Sequence, residues 1–217
     1  MERLKLSVSK KVTALRGGAA EALVVLRRQG PGQVQFWFIA LFLGLASGTV
    51  ALSFRLGVET LQAAIYGTAD IERLHSFAAG MPVVLVIAIP TLGGLAVGLI
   101  LNWFTPDGRV RSVADVIEGA AIRDGRVEKR AGLGSALASL ITLSTGGSTG
   151  REGPVVHLAA VISSWVSNLI KASPITGRDL MGVAVAAAVS ASFNAPIAGA
   201  LFALEVVLRH FAVHAFA

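Results

Sequence analysis

The chain has 217 residues, of which 54% are hydrophobic and only 15% are charged, and its mean hydropathy is +0.70. A soluble globular domain carries about a quarter charged residues, so this composition excludes that class and indicates a polytopic membrane protein. The absence of cysteine excludes disulfides and thiolate metal sites. The net charge of +6 lies partly in the N-terminal segment, so it does not indicate a nucleic-acid partner.

The N-terminal segment, residues 1–32, is basic and moderately amphipathic. Its cations oppose only Glu2 and Glu21, and an excess of Lys and Arg before a first span predicts a cytoplasmic N-terminus. A surface helix on anionic lipid and a solvated tail packed on the bundle both remain open. We expect no signal peptide and place the protein in a bacterial plasma membrane. The cations are Arg3, Lys5, Lys10, Lys11, Arg16, Arg27 and Arg28.

Two apolar stretches follow this segment. The first predicted span, Val34 to Val58, begins near Trp37, as an interfacial anchor would, and Arg55 is its only charge. Glu59 to Met81 is predicted to be a polar connection on the outer side. Val83 to Phe104 has no charge and is long enough to cross about 30 Å of hydrocarbon, so it is the second predicted span.

Small residues predict close packing in two places. Gly94 and Gly98 form a GxxxG step in the second span. Ala131 to Thr145 is uncharged and rich in Ala, Gly, Ser and Leu, which predicts a buried helix.

The stretch from Thr105 to Arg130 is dense in charge, so we expect it in the cytoplasm. Within it, Ser112 to Gly119 is predicted to open a short helix, because Ser112 and Asp115 are good N-cap and first-turn residues.

A break separates two apolar segments in the middle of the chain. Gly146 to Pro154 holds four glycines, Arg151 and Glu152, whereas Val155 to Ile170 has only His157 as a titratable group. Charges at membrane depth are costly and indicate function. Glycines break a helix, and Pro154 suits the first turn of the next one. We therefore predict a re-entrant turn and a helix N-terminus aimed at an anion site.

A second break is predicted near the C-terminal end. Leu180 to Leu204 has no charge, but Phe193-Asn194-Ala195-Pro196 interrupts it, which favours two short helices. Glu205 and Arg209 have the i,i+4 spacing of a helical ion pair. His210 and His214 share a helical face, but they lack a third ligand, so we expect no metal.

The run GREGP at Gly150–Pro154, followed by Asn194-Ala195-Pro196-Ile197-Ala198-Gly199, resembles the CLC family of chloride channels and proton-coupled chloride exchangers. The resemblance extends from about Phe36 to the C-terminus. It implies an all-α fold of broken, tilted transmembrane helices that form the first half of an inverted-repeat bundle, residues 33–217, with the second half absent. It also implies a homodimer with one pore per subunit, and a transport protein without cofactors rather than an enzyme.

The resemblance assigns roles to single residues. Glu152 stands where family members have the gate, which in exchangers also carries protons. Ser112 aligns with the serine that contacts the central anion, although this chain has Ser-Val-Ala-Asp where the family has Ser-Gly-Ile-Pro. Val206, preceded by Glu205, takes the inner position of the proton route, and valine there is similar to the channel branch. The remaining expected anion-site residues are Gly150, Arg151, Gly153 and Pro154.

Helix dipoles explain why such a site suits chloride. Partial positive charge at helix N-termini replaces hydration without holding the ion too tightly, and two or three such ends are expected: before Asp115, at Glu152, and as an open third place after Pro196. We predict a chloride channel. Alternatives are a proton-coupled chloride exchanger, a truncated non-conducting fragment, and an unrelated transporter with broken helices. Gly146 to Arg151 lacks the Gly-Lys-Ser/Thr ending of a phosphate loop, so no nucleotide site is expected.

Overall fold

The computed structural model describes residues 31–67 and 79–209. All regular structure within these ranges is helical, which confirms the all-α prediction. The predictions for the basic N-terminal tail, for residues 68–78 of the polar connection, and for His210 and His214 lie outside the described residues. The helices are α1 (Gln33–Tyr66), α2 (Val83–Phe104), α3 (Val113–Ile122), α4 (Lys129–Ser144), α5 (Glu152–Ile170), α6 (Pro174–Phe193) and α7 (Pro196–Phe202), and a π-helical segment (Ala203–Leu208) follows α7.

Helix α1 is longer than the sequence indicated. The predicted end at Val58 is wrong, because α1 has 34 residues and runs to Tyr66. It stops at Gly67, whose φ is 69°. Arg55 and Glu59 pair one turn apart, with 2.9 Å between Nε and Oε1. These charges therefore satisfy each other along the helix and do not end it.

Three described helices are long and apolar enough to cross a membrane: α1, α2 and α5. They differ in surroundings, since 61% of the most apolar window of α5 is buried inside the molecule but only 6% of that of α2. Helix α5 is therefore the central element, and α1, α3, α4 and α6 pack around it. Such a set of apolar helices is that of an integral membrane protein.

Helix α4 confirms the prediction of close packing by small residues. Half of its residues are buried, and every one of these buried residues is Ala, Gly or Ser. Its 16 residues span only about 24 Å, too short for a hydrocarbon core of about 30 Å. The helix therefore belongs to the broken, buried class that the sequence predicted.

The second predicted break is confirmed between α6 and α7. Asn194 adopts a left-handed conformation with φ of 52°, and Pro196 is the first residue of α7. The predicted pair of Glu205 and Arg209 is wrong within the described residues. The chain from Ala203 to Leu208 is π-helical, with i to i+5 bonding, and it ends at Arg209, so residues four apart are not aligned.

Candidate anion site

The turn between α4 and α5 depends on glycines that close the first helix. Gly146 has φ of 92°, and the amide of Gly147 donates to the carbonyl of Thr142 at 2.8 Å, which satisfies an orphan carbonyl of α4. A Cβ on Gly146 would lie 2.8 Å from the hydroxyl oxygen of Tyr66. Both the backbone angle and the contact with α1 therefore require glycine here.

The candidate gate is the first residue of α5. Glu152 and Arg151 are exposed in this chain, Gly153 is half-buried, and Pro154 is buried in the first turn, where its missing N–H is no loss. A carboxylate oxygen of Glu152 lies 2.7 Å from where a Cβ on Gly150 would stand. Gly150 thus leaves the space that the carboxylate occupies.

The starts of α3 and α5 adjoin. Ser112 caps α3, and its Cα lies 3.9 Å from the position of a Cβ on Gly153. The first turn of each helix leaves backbone N–H groups without helical partners, and each end has a partial positive charge of about half a unit. Two such ends side by side favour an anion between them.

A third helix start was expected at Pro196. Its carbonyl lies 3.3 Å from the hydroxyl of Ser190 on α6, and α7 packs mainly against α6 and the π-helical segment. The arrangement that the described contacts support is therefore a site between two helix starts, those of α3 and α5.

Asp115 folds back onto the start of its own helix. Its Oδ2 accepts the amide N–H of Ser112 at 2.7 Å and the hydroxyl at 3.2 Å. Its Oδ1 lies 2.7 Å from Arg109 and 3.7 Å from Arg111. Burial alone would raise the pKa of Asp115, but the Ser112 amide and the nearby guanidinium groups outweigh it and hold the pKa below its usual value. Asp115 thus stays ionised, and the guanidinium groups of Arg109 and Arg111 balance its charge. It also accepts the hydrogen bond of the Ser112 hydroxyl that the anion was expected to contact.

Beside the two helix starts lies a cavity of about 200 Å³, which we call the charged cavity. Arg111 is buried there, donating to Asp107 at 2.7 Å and to Glu128 at 2.9 Å, while its backbone amide donates to the hydroxyl of Ser135 at 2.8 Å. Arg123 bridges Glu118 and Glu128 at 2.8 and 3.3 Å. The lining residues are Asp107, Arg109, Arg111, Asp115, Glu118, Arg123, Val127, Glu128 and His157.

The remaining predicted residues lie apart from these contacts. The Arg151 carbonyl accepts the amide of Val155 at 3.4 Å, whereas the Arg151 side chain has no hydrogen bond or ion pair within residues 31–67 and 79–209. Val206 is half-buried and Glu205 exposed in the π-helical segment, which packs on α3, α6 and α7.

Sequence reasoning did not find the charged cavity or the place of His157 in it. Its ion pairs join residues up to 17 positions apart, so only the alternation of basic and acidic residues between Pro106 and Arg130 could have indicated them. His157 was notable in the sequence only as the single titratable group of its apolar segment.

The geometry agrees with comparison to known proteins. A model of the voltage gated chloride channel family matches residues 93–217, which is more than half of the chain. The chain belongs to this family. The resemblance to CLC proteins drawn from GREGP is thereby confirmed, and members of the CLC family are channels or transporters rather than enzymes.

Relatives within the CLC family come from bacteria and a plant. A ClcB-like protein of Ralstonia nicotianae is 34% identical over 173 residues, which are 78% of this chain and 40% of that protein. The voltage-gated ClC-type chloride channel ClcB of Yersinia pseudotuberculosis is 32% identical over 172 residues, with 78% and 41% covered. Chloride channel protein CLC-e of Arabidopsis thaliana is 37% identical over 123 residues, with 57% and 17% covered. The chain spans about two fifths of the length of these bacterial relatives.

Proposed function

We propose that this chain forms the N-terminal half, residues 33–217, of a chloride channel in which Glu152 gates the pore. The supporting observation is the adjoining starts of α3 and α5, with the exposed carboxylate of Glu152 at the second start. A carboxylate is itself an anion, so it can occupy the place that chloride would take between the two helix ends. When it is protonated or swings away, chloride enters.

The preference for a channel over a proton-coupled exchanger depends on Val206. Valine at the inner position of the proton route cannot accept a proton, so a chloride flux without opposed proton movement is expected. The relatives' printed names, which refer to chloride channels, support chloride as the ion. We further propose a homodimer in the lipid bilayer of a bacterial plasma membrane, with the N-terminus in the cytoplasm.

A proton-coupled chloride exchanger is the second candidate, and one observation favours it. Glu205 is exposed one residue before Val206, in a π-helical segment, where the wider turn changes the direction of each side chain. It could therefore serve as the inner proton acceptor in place of Val206.

Chloride efflux from proteoliposomes, with a pH electrode outside, tests the proposal. The 217-residue chain and the longest reading frame that contains it are reconstituted in parallel. Flux without proton movement supports the channel, and flux with opposed proton movement that Glu205→Gln abolishes supports the exchanger. Flux from the longer protein alone assigns the short chain as a non-conducting half, and no halide-dependent flux from either overturns both candidates.

A further inference from the structure

His157 is a buried polar side chain that the gate mechanism does not use. It is 1% exposed, and neither ring nitrogen has a hydrogen-bond partner within the described chain. A buried polar group left unpaired costs about 1–3 kcal/mol, so a native site of this kind calls for a partner, such as water or an ion. The position is tightly built, because a Cβ on Gly132 of α4 would lie 2.8 Å from Nε2.

The charged cavity supplies access to this ring. His157 forms its floor, whereas the side chains of Arg109, Arg123 and Glu128 at its rim are 56%, 49% and 48% exposed. A volume of about 200 Å³ has room for several water molecules, and the polar lining would hold them. Both ring nitrogens have almost no solvent-accessible surface, so water in the cavity lies against the ring, and a small opening of the lining would bring it to a nitrogen.

Burial disfavours a charged imidazole, and the charges around the ring offset part of that cost. The linker before α3 supplies Asp107, Arg109 and Arg111. Helix α3 supplies Asp115 and Glu118, and the connection from α3 to α4 supplies Arg123 and Glu128. Four carboxylates thus face three guanidinium groups, and the surplus negative charge offsets part of the cost of burying an imidazolium.

The ring also stands beside the proposed anion site. The main chain of Ser112 and of Glu128 adjoins the imidazole, and Ser112 is the residue whose Cα nears Gly153. The Asp115 carboxylate already accepts the amide and the hydroxyl of Ser112, so an anion that binds there has to displace it. A proton on His157 adds a full positive charge beside the two helix starts and would favour that exchange. Bound anion and bound proton would then stabilise each other, and such coupling is reciprocal.

We propose that His157 is a proton-binding site reached by water through the charged cavity, and that its proton is coupled to anion binding at Ser112. A proton from cavity water bonds to the free nitrogen lone pair of the neutral ring, and the same N–H bond breaks when the proton returns to water. The proton-binding part stands without the proposed function, whereas the coupling part rests on it.

Nitrogen NMR of the full chain labelled at histidine tests the proton site without any flux measurement. The chain has four histidines, and His157→Gln identifies the His157 signals by their loss. We expect these signals to titrate reversibly as the pH is lowered, because a neutral histidine ring changes charge when it takes up a proton. If they stay unchanged while the other histidines titrate, the proton site is overturned.

Access through the cavity is tested by filling it. Val127→Trp places a bulky ring in the cavity lining and should slow proton exchange at His157 at least several-fold, whereas Val34→Trp, at an exposed position of α1, should not. Equal exchange in both variants overturns this route.

Coupling is tested by titrating His157 in chloride and in gluconate. Chloride should raise proton affinity roughly five-fold or more, as is typical of linked sites, and Ser112→Ala should reduce that effect. A titration that is identical in both salts overturns the coupling. If His157 titrates in protein that shows no chloride flux, the proton site stands and the proposed function fails.

Discussion

At the scale of single residues, Ser112 combines a capping role with the proposed anion contact, and the two can be separated. Ser112→Ala should cost about 1 kcal/mol of stability through the lost cap and should also weaken chloride binding modestly. Ser173 is the matched control, because it caps α6 by accepting the amide of Thr176 at 3.2 Å and lies at the start of a different helix. Calorimetric chloride titration and thermal melts of both variants distinguish the roles. Equal chloride affinity in the two variants would leave Ser112 as a cap alone.

Glu152 is the residue on which gating depends. Glu152→Gln makes the gate neutral at every pH, so chloride flux should persist while the gating response to pH is lost. The measurement is chloride efflux across a pH series, with Asp124→Asn as a matched change at an exposed carboxylate outside the proposed site. An unaltered pH response in Glu152→Gln would remove Glu152 from gating. If that response then disappears when His157→Gln is added, it belongs to the charged cavity.

Asp107 gives the charged cavity a defined pH dependence. Hydrogen bonds from Arg111, at 2.7 Å, and from Arg109, at 2.8 Å, lower its pKa from 3.8 to about 2. Because the folded pKa lies below the unfolded one, its stabilisation is complete above pH 3.8 and is lost as pH falls toward 2.

Asp107→Asn should therefore lower the Tm near neutral pH, and the difference from the native chain should shrink in acid below pH 3.8. Asp124→Asn, at an exposed position between α3 and α4, makes the same chemical change away from Arg109 and Arg111 and is the control. A difference that stays constant into acid would contradict the assigned pKa.

The individual site residues were predictable only where a local motif fixed them. Gly150 to Pro154 specify a helix start by glycine freedom and by the proline's missing N–H, and both are properties of adjacent residues. Arg111 meets Glu128 and Ser135 across the fold, 17 and 24 positions away, and nothing local encodes those contacts. The same holds for the cavity above His157.

At the scale of helices, α2 offers two adjacent glycines with opposite surroundings. A Cβ on Gly93 would lie 2.7 Å from Cβ of Thr145, at the end of α4, whereas nothing in the described chain lies within 4 Å of a Cβ on Gly94 or Gly98. The close packing expected of the GxxxG step is therefore made at Gly93 inside this chain. Gly93→Ala should push α2 from α4 and lower the Tm by several degrees, whereas Gly94→Ala should be neutral or slightly stabilising. Equal melts of the two variants would contradict this packing.

The helices themselves were largely predictable, but their ends were less so. Composition predicts the long apolar helices, and the turn residues predict the two breaks, at Gly146 and at Asn194. The extension of α1 to Tyr66 carries an ion pair within the helix, and the π-helical segment packs against α3 and α6. Neither follows from periodicity, because side-chain pairing and tertiary contacts outweigh local preference.

For the whole molecule, the lack of cysteine makes membrane topology directly measurable. Helix α2 spans about 33 Å, so exposed positions at its two ends, Ala79 and Val110, should lie on opposite sides of the bilayer. An impermeant maleimide should label Ala79→Cys in intact cells and Val110→Cys only after the membrane is opened. The reverse pattern would invert the proposed orientation, and labelling of both in intact cells would contradict a span at α2.

The contacts of Arg126 and Arg178 bear on how the chain is made. Arg126 donates to Asn168 and to the carbonyl of Ala172, Arg178 donates to the carbonyl of Ala121, and Gly125 adjoins Gly177. The connection after α3 is therefore completed by residues translated 42 to 57 positions later. At roughly 5–20 residues per second, a ribosome takes about 2 to 11 s to supply them. During that interval a chaperone or the insertion machinery would meet α3 and α4 before the contacts of Arg126 and Arg178 that hold the connection between them can form.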